Sequence, residues 1–478
     1  MDVFLTTLKA LIDGLGATIA LPIIIFIVAL VLGAKPGKAF RAGVVIGIAF
    51  IGINLVIGLM WGALSDVGQA LVKNLGITRD VVDVGWPSAA AIAFGTKVGL
   101  WVIPIAILVN VVMLFLRWTK TLNVDVWNFW HFAFIGSMVA AVSGNLAYGL
   151  IAAALAAALA LFLGDWTAKA VQSFYGLPGI SIPHLTTAPG VPFAIFTNWL
   201  VDRIPGLNKV NADPEAIRKR FGIMGEPVIL GLIIGLILGI LGFYNAGSFQ
   251  TVLVKVLGLG MNLAAVMLLL PRMVAILMEG LMPVSEAARE FMQKRAGSRE
   301  IYIGLDSAIL IGHPAAISTS LLLVPIAILL SLILPGSRVI LFADLAIIPF
   351  VVAMFAPLMR GNIVRMVIAG TLELLVGFYL ATWMSPLFTS AAMDAGFAMP
   401  ENALSITSIG DGFLWPPALF AQLVNFAGAF GLIIVAALLG VAMFFYMKNT
   451  QAWEVAAGAP NEVVAETPKK AAAAAAHV

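Results

Sequence analysis

The stretch Val84-Gly85-Trp86-Pro87-Ser88-Ala89-Ala90-Ala91-Ile92 recurs in altered form as Ile311-Gly312-His313-Pro314-Ala315-Ala316-Ile317-Ser318-Thr319. Both copies place a Gly-X-Pro break in an apolar sequence. Proline removes a backbone hydrogen-bond donor and disfavours helix in the residue before it. Broken backbone at membrane depth is tolerated only where it is buried in protein or lines a cavity, and paired breaks in corresponding halves are typical of transporter binding sites. The two stretches therefore predict a solute transporter whose half-helices meet around a substrate.

The composition is that of a polytopic membrane protein. Of 478 residues, 62% are hydrophobic and only 11% are charged, with a mean hydropathy of +1.06. The sequence contains no Cys, which excludes disulfides, thiolate metal sites and a cysteine nucleophile within this chain. It has no nucleotide-binding motif, and its net charge of +3 gives no sign of nucleic-acid binding. We expect no metal, no other cofactor and no nucleic-acid partner.

Runs of roughly 20 apolar residues predict an all-α protein with about eleven membrane-spanning helices. In the first repeat (1–200) they cover about 17–33, 42–61, 100–117, 127–143 and 146–163, with a re-entrant hairpin at 76–99. In the second repeat (227–412) they cover about 227–243, 252–278, 321–334, 340–359 and 363–384, with a re-entrant hairpin at 303–320. A last span covers 413–447. Residues 201–226 are expected to form a cytoplasmic linker and 448–478 a disordered cytoplasmic tail.

Further matches indicate that the two halves are repeats. Residues 102–108 resemble residues 323–329, and Gly144-Asn145 corresponds to Gly361-Asn362, where each Asn is expected to cap a helix. Because each half has an odd number of spans, the second repeat must be inverted. With the N-terminus outside, twenty of the 27 Lys and Arg lie in segments that face the cytoplasm. This bias predicts an N-terminus outside and a C-terminus in the cytoplasm.

Four motifs carry a resemblance to a known family. They are Val82-Asp83-Val84-Gly85-Trp86-Pro87, Gly179-Ile180-Ser181-Ile182-Pro183-His184, Asp202-Arg203-Ile204-Pro205-Gly206-Leu207 and the segment 304–314, GLDSAILIGHP. From about residue 5 to 447 the chain resembles the IIC permeases of the bacterial phosphoenolpyruvate-dependent sugar phosphotransferase system, in the ascorbate–galactitol superfamily, and the galactitol branch fits best.

This resemblance implies an inner-membrane homodimer with a scaffold domain and a moving, elevator-like core domain. It also implies that a neutral polyol is translocated and phosphorylated by the phosphocysteine of a separate cytoplasmic IIB protein, which a IIA protein serves in turn. The lack of Cys in this chain agrees with a phosphocarrier on another protein.

A polyol is bound through hydrogen bonds and through aromatic faces rather than through charge. Polar and aromatic side chains near the predicted breaks are therefore the candidates for substrate binding. An aspartate beside the accepting hydroxyl can also act as a base, so Asp306 is in addition the candidate catalytic residue. The candidates are Trp86, Ser88, Asn128, His131, His184, Asp306, His313 and Asp344.

Each candidate also has a structural interpretation, which the sequence leaves open. Trp86 and His131 can be core residues, while Ser88 and Asp344 can cap helices. Glu373 can form an internal pair or contact substrate. Two other functions also stay open: an ion-coupled secondary transporter that releases unmodified solute, and a membrane scaffold or sensor without transport.

Overall fold

The computed structural model describes residues 33–74, 79–125, 127–221, 226–295, 300–341, 343–399 and 403–461, with residues 76 and 223 and eight positions between 22 and 31. Most of the predicted first span (17–33) and the end of the predicted tail (462–478) lie outside these residues.

Helices dominate the described part of the chain. In order they are α1 (Pro36–Asn74), α2 (Trp86–Gly95), α3 (Gly99–Phe115), α4 (Asn128–Ser143), α5 (Leu146–Tyr175), α6 (Val191–Val201), α7 (Pro214–Phe221), α8 (Pro227–Phe243), α9 (Phe249–Arg295), α10 (Pro314–Ile333), α11 (Ile348–Ala353), α12 (Phe355–Met359), α13 (Ile363–Asp394), α14 (Ile409–Gly412), α15 (Trp415–Ala427), α16 (Ala429–Lys448) and α17 (Thr450–Ala456). The strands are β1 (Val81–Asp83), β2 (Thr121–Asn123), β3 (Ile180–Ser181), β4 (Tyr302–Gly304), β5 (Val339–Ile340) and β6 (Ser405–Thr407).

The prediction of a polytopic helical membrane protein is confirmed. Within the described residues, six helices are long and apolar enough to cross a membrane: α1, α5, the Phe249–Leu270 part of α9, α10, α13 and α16. A seventh span results if α2 and α3, which meet at 90°, are taken together. Shorter apolar helices lie at Ala188–Val201 and Val228–Phe243. The count of eleven spans stays a prediction.

The first Gly-X-Pro break begins a half-helix. Gly85 has a φ of 79°, a conformation that glycine adopts without steric strain, and Pro87 lies in the first turn of α2. At the other end of α2, the Thr96 hydroxyl donates to the Ala93 carbonyl and accepts from the Gly99 amide. These bonds satisfy backbone groups where the chain turns into α3. The predicted first hairpin is thus a strand followed by a ten-residue helix.

Several boundaries differ from the sequence-based ones. Helix α10 begins with Pro314 at its first position, where no amide donor is needed. It then runs without interruption across the expected boundary at residue 320. Helix α9 continues to Arg295, into the polar stretch 285–300 that follows its apolar part. The expected last span, 413–447, is divided at Gly428 into α15 and α16, and the expected span 340–359 contains the short helices α11 and α12. Helix α17 occupies the start of the segment that was expected to be disordered.

Two short parallel sheets, neither apparent in the sequence, lie beside the helix breaks. Their strand orders are β5-β1-β6 and β2-β4-β3. In the first sheet Val81 pairs with Val339 and Ser405, while in the second Ile303 pairs with Leu122 and Ile180. Because all the strands are parallel, the residues that follow them gather at one edge of each sheet.

An ion pair supports the first sheet at its exposed end. Arg338, which precedes β5, donates from Nε to Asp80 Oδ1 at 2.9 Å, just before β1 begins. The hydrogen bond from Arg338 holds the pKa of Asp80 below its usual value of 3.8. Arg338 and Asp80 therefore help to align β5 with β1.

Helices α1, α8 and α9 contact one another extensively and form one body of the fold. Glycines on α8 allow a close approach to α9. A Cβ added at Gly235 would lie 2.7 Å from the Cα of Gly260. Small residues of this kind let membrane helices pack backbone to backbone.

Candidate functional site

A central cavity lies where the half-helix α2 meets the edge of the β2-β4-β3 sheet. It comprises about 700 Å³ of space, its open mouth included. Helix α1 closes one side with Asn54 and Ile57. The side chains that give the cavity its chemical character are Trp86, Trp127, Trp130, His184, Thr186 and Asp306.

Three tryptophans form the apolar part of the lining. The rings of Trp86 and Trp127 are 5.5 Å apart and perpendicular to each other, an edge-to-face contact. Their faces and that of Trp130 provide a surface for the C–H side of a carbon chain, while hydroxyl groups remain free for the polar wall. The predicted binding residues Trp86, His184 and Asp306 thus come together at one cavity.

The polar wall contains an Asp-His-Asp group, which we define as Asp125, His184 and Asp306. All three side chains follow strands of the same sheet, and all are buried. The distance from His184 Nδ1 to Asp125 Oδ2 is 2.6 Å, and that from His184 Nδ1 to Asp306 Oδ1 is 4.0 Å. Asp306 Oδ1 also accepts a hydrogen bond from the Ala308 amide at 2.8 Å. His184 is therefore held between two carboxylates.

One ligand atom from each member of this group lies within 4.8 Å of the others, which is close enough for a small cation. The contact between His184 and Asp125 has the length of a hydrogen bond, which explains their proximity without an ion. The expectation that the site needs no metal stays a prediction.

The hydrogen bonds continue from His184 away from the cavity. His184 Nε2 lies 3.2 Å from His131 Nε2, and His131 Nδ1 lies 2.9 Å from Asp411 Oδ2. The hydroxyl of Thr186 is 2.9 Å from His131 Nε2. We refer to Asp411, His131, His184 and Asp125 as the histidine series. His131 and Asp411 have no exposed surface, so His131 touches the cavity only through its neighbours.

Asn128 holds the loop that carries His184. Its Nδ2 donates to the Pro183 carbonyl at 2.6 Å, and its Oδ1 accepts from the Leu185 amide at 3.1 Å. Both bonds flank His184 in sequence. The structure therefore places Asn128 behind the cavity lining, where it fixes the position of the histidine.

Asp344 is a capping residue in this structure. Its Oδ1 accepts from the Trp86 amide at 2.6 Å, and its Oδ2 accepts from the Ser408 hydroxyl at 2.5 Å and the Ile409 amide at 2.8 Å. The carboxylate thus satisfies the first amides of α2 and α14. It lies beside the cavity rather than in its lining.

An Asp-Ser-Asp group (Asp83, Ser408 and Asp344) at the other sheet shares two contacts with the Asp-His-Asp group. Asp83 accepts from the amide two residues later, as Asp306 does. Asp344 pairs with Ser408, where Asp125 pairs with His184. Asp83 also accepts from the Asp344 amide at 2.7 Å. The imidazole and the opening to the cavity distinguish the Asp-His-Asp group.

Ser88 and His313 lie away from the cavity lining. Ser88 is half-buried in the first turn of α2. His313 caps α10, and its Nδ1 accepts from the Ala315 amide at 3.2 Å. Its ring lies 4.8 Å from Phe174 and 5.5 Å from Tyr175. The second Gly-X-Pro break therefore supplies a helix cap, while Asp306, seven residues before His313 in the sequence, reaches the cavity.

Sequence reasoning did not select Asp125, Thr186 or Asp411. The sequence feature that could have indicated them is a charged or polar residue within an apolar region, near another candidate. Asp125 precedes Asn128 by three residues, and Thr186 follows His184 by two. Asp411 stands between two glycines in a polar segment, where a carboxylate does not stand out from its neighbours.

A polytopic membrane protein with an internal cavity that combines apolar and polar side chains beside broken helices is, as a class, a solute permease. Comparison with known proteins defines the family. Residues 11–402 match the model of the family described as "PTS system sugar-specific permease component". The chain belongs to this family of the phosphotransferase system, as the sequence motifs had indicated.

Two relatives are similar over nearly their whole length. The chain is 38% identical over 438 residues to the "PTS system galactitol-specific EIIC component" of Escherichia coli (strain K12). The alignment covers 91% of this chain and 95% of that protein. The protein of the same name from Escherichia coli O157:H7 gives the same identity and coverage.

Proposed function

We propose that this protein carries a neutral polyol, galactitol or a similar one, across the bacterial cytoplasmic membrane and presents it for phosphorylation by a cytoplasmic IIB protein. The observation that carries the proposal is the central cavity, which combines three tryptophan faces with the polar side chains of His184, Thr186 and Asp306. Membership of the permease family and the galactitol-specific relatives support the same substrate class.

Asp306 is the residue that we assign to the reaction. Its Oδ1 is bonded to the Ala308 amide, and within the described residues no hydrogen bond engages its Oδ2. The side chain borders the cavity, so this oxygen is available to a substrate hydroxyl. A carboxylate in this position can accept the hydroxyl proton as the phosphoryl group is transferred.

The proposal includes two inverted repeats. β4 begins at residue 302, 221 residues after β1 begins at 81, and each is the central strand of its sheet. The flanking strands come from the opposite half in both cases: β5 and β6 flank β1, whereas β2 and β3 flank β4. This exchange of strands between the halves supports a pseudo-twofold relationship between them, as do the contacts that the Asp-His-Asp and Asp-Ser-Asp groups share.

An elevator-like movement also belongs to the proposal. Helices α1, α8 and α9 form the body that we assign to the scaffold, and the sheets with the other helices form the core. The central cavity lies between Asn54 and Ile57 of α1 and the residues of the core. A core that slides along α1 would carry its substrate with it. The homodimer, the N-terminus outside and the C-terminus in the cytoplasm complete the proposal and rest on the family resemblance and the charge bias.

A direct test is the uptake of radiolabelled polyols in cells with and without the cognate IIA and IIB proteins. We expect one polyol of the panel to accumulate as its phosphate ester, and only when both partners are present. An ion-coupled transporter would instead accumulate the unmodified polyol without them.

A further inference from the structure

The histidine series needs one proton more than its two neutral imidazoles supply if each of its contacts is a hydrogen bond. Three contacts follow one another: Asp411 to His131, His131 to His184, and His184 to Asp125. Each is a hydrogen bond only if one proton lies between its two atoms. Two neutral imidazoles supply two protons, so all three contacts are hydrogen bonds only if one additional proton is shared along the series.

The contact between the two histidines is the one that needs the additional proton. Both nitrogens are Nε2, and each ring already uses its Nδ1 against a carboxylate. Without the additional proton, two lone pairs would face each other at 3.2 Å in a buried site, and the Thr186 hydroxyl, 2.9 Å from His131 Nε2, can donate to only one of them. The additional proton resides either toward His184 or toward Asp411, because either arrangement satisfies all three contacts.

We propose that Asp411 and His131 are positioning residues that store this proton and shift it toward or away from His184 during phosphoryl transfer. The proposal rests on the proposed function. While Asp306 is ionised, the proton lies at His184, whose positive charge faces Asp306 at 4.0 Å. When Asp306 becomes protonated, the proton moves outward to Asp411. The series thus keeps the charge beside Asp306 nearly balanced in both states.

Phosphoryl transfer to the substrate forms one bond to phosphorus and breaks one. A substrate hydroxyl oxygen forms a bond to phosphorus, and the phosphorus–sulfur bond of the phosphocysteine on the partner protein breaks. The sulfur leaves as a thiolate with the electron pair, and the hydroxyl proton passes to Asp306. No proton leaves the histidine series; one proton only changes its position within it.

The surroundings restrict where this proton can go. Among the residues that the structure describes, the titratable groups that face the two histidines are Asp125, Asp306 and Asp411, and the Thr186 hydroxyl is a further polar neighbour. Asp411 Oδ1 is buried and has no hydrogen-bond partner in the described part of the chain. A buried carboxylate with an unpartnered oxygen is costly as an anion, so a proton on Oδ2, the oxygen that faces His131 Nδ1, removes that buried charge when it moves outward.

The test compares Asp411→Asn with the wild type in two measurements. An asparagine amide can donate to His131 Nδ1 and keep the contacts, but it cannot exchange the proton. With purified permease, galactitol and the phosphorylated IIB protein, we expect kcat to fall about tenfold or more, with KM within about threefold of the wild type. We also expect the pH profile of kcat to lose one ionisation. An unchanged kcat and pH profile would overturn the proposal.

Two further variants separate positioning from folding. Glu373→Gln removes another buried carboxylate, one whose Oε2 is unpartnered within the described residues, and is expected to keep the wild-type kcat and pH profile. The double variant of Asp411→Asn with His131→Gln is expected to be no slower than the slower single variant, because both interrupt one series. Additive losses would contradict the shared-proton arrangement.

The second measurement does not depend on the substrate. The sequence has four histidines, so the nitrogen NMR spectrum of 15N-histidine-labelled protein can be assigned with single variants. We expect His131 and His184 to titrate as a coupled pair and Asp411→Asn to abolish that coupling. Independent titration of the two rings in the wild type would overturn the proposal. A coupled pair in a protein that phosphorylates no polyol of the panel would instead contradict the proposed function alone.

Discussion

Asp344 accepts a hydrogen bond at 2.6 Å from the backbone amide of Trp86, which lies 258 residues earlier in the sequence. The carboxylate of one half thereby caps the half-helix of the other. The same carboxylate binds Ser408 and the Ile409 amide, so one buried side chain joins three segments. These three hydrogen bonds give Asp344 a structural role.

We therefore predict that Asp344→Ala destabilises the protein by at least about 1–3 kcal/mol, because it leaves buried amides without an acceptor. Asp344→Asn, which retains one oxygen, should lose less. Thermal unfolding in detergent measures this effect, and polyol affinity of the folded fraction should stay close to that of the wild type. A large loss of affinity at unchanged stability would instead assign Asp344 to the substrate.

Asp306→Asn is expected to bind polyol but to lose most phosphorylation. The amide keeps the shape and some hydrogen bonding of the side chain but cannot accept the hydroxyl proton, so kcat should fall about a hundredfold or more. Calorimetric binding and in-vitro phosphorylation distinguish the two effects. Asp83→Asn is the matched control, since Asp83 makes the same bond to the amide two residues later but belongs to the other sheet. Comparable phosphorylation losses in both variants would remove the catalytic role of Asp306.

His184 and His313 are expected to behave differently. His184→Ala removes a cavity side chain that bonds to Asp125 and His131, and we predict a loss of polyol affinity of about tenfold to a hundredfold. His313→Ala removes a helix cap outside the cavity lining and should lower thermal stability, with affinity within about threefold of the wild type. Titration calorimetry on both variants tests this, and a similar loss of affinity in both would place His313 in the binding site.

Helix α1 offers a test of orientation. It runs without interruption from Pro36 to Asn74, so its ends lie on opposite sides of the membrane. Since the chain has no native Cys, single cysteines at Lys38 and Lys73 have no labelling background. A membrane-impermeant thiol reagent applied to intact cells should label Lys73→Cys and spare Lys38→Cys. The opposite pattern would reverse the proposed topology.

The helix breaks and several caps could be predicted from the sequence because they depend on local chemistry. Gly85 and Pro87 begin α2, and His313 and Pro314 begin α10. The predicted caps at Asn145 and Asn362 are confirmed, with bonds to the amides of Ala147 and Arg365.

The sheets and the histidine series could not be predicted, because they depend on contacts between distant segments. Strands of two or three residues are too short to show an alternating pattern. The bond between His131 and Asp411 spans 280 residues, and that between His184 and Asp125 spans 59. The sequence predicts that His313 binds substrate because it is part of the break. In the structure His313 caps α10, and Asp306 borders the cavity.

The most direct test of the proposed function is transport of radiolabelled galactitol by the purified permease in proteoliposomes, with and without the phosphorylated IIB protein on the cytoplasmic side. We predict that label crosses the membrane and appears on that side as a phosphate ester, only when the phosphorylated partner is present. Accumulation of unmodified galactitol driven by an ion gradient, with no requirement for the partner, would contradict it.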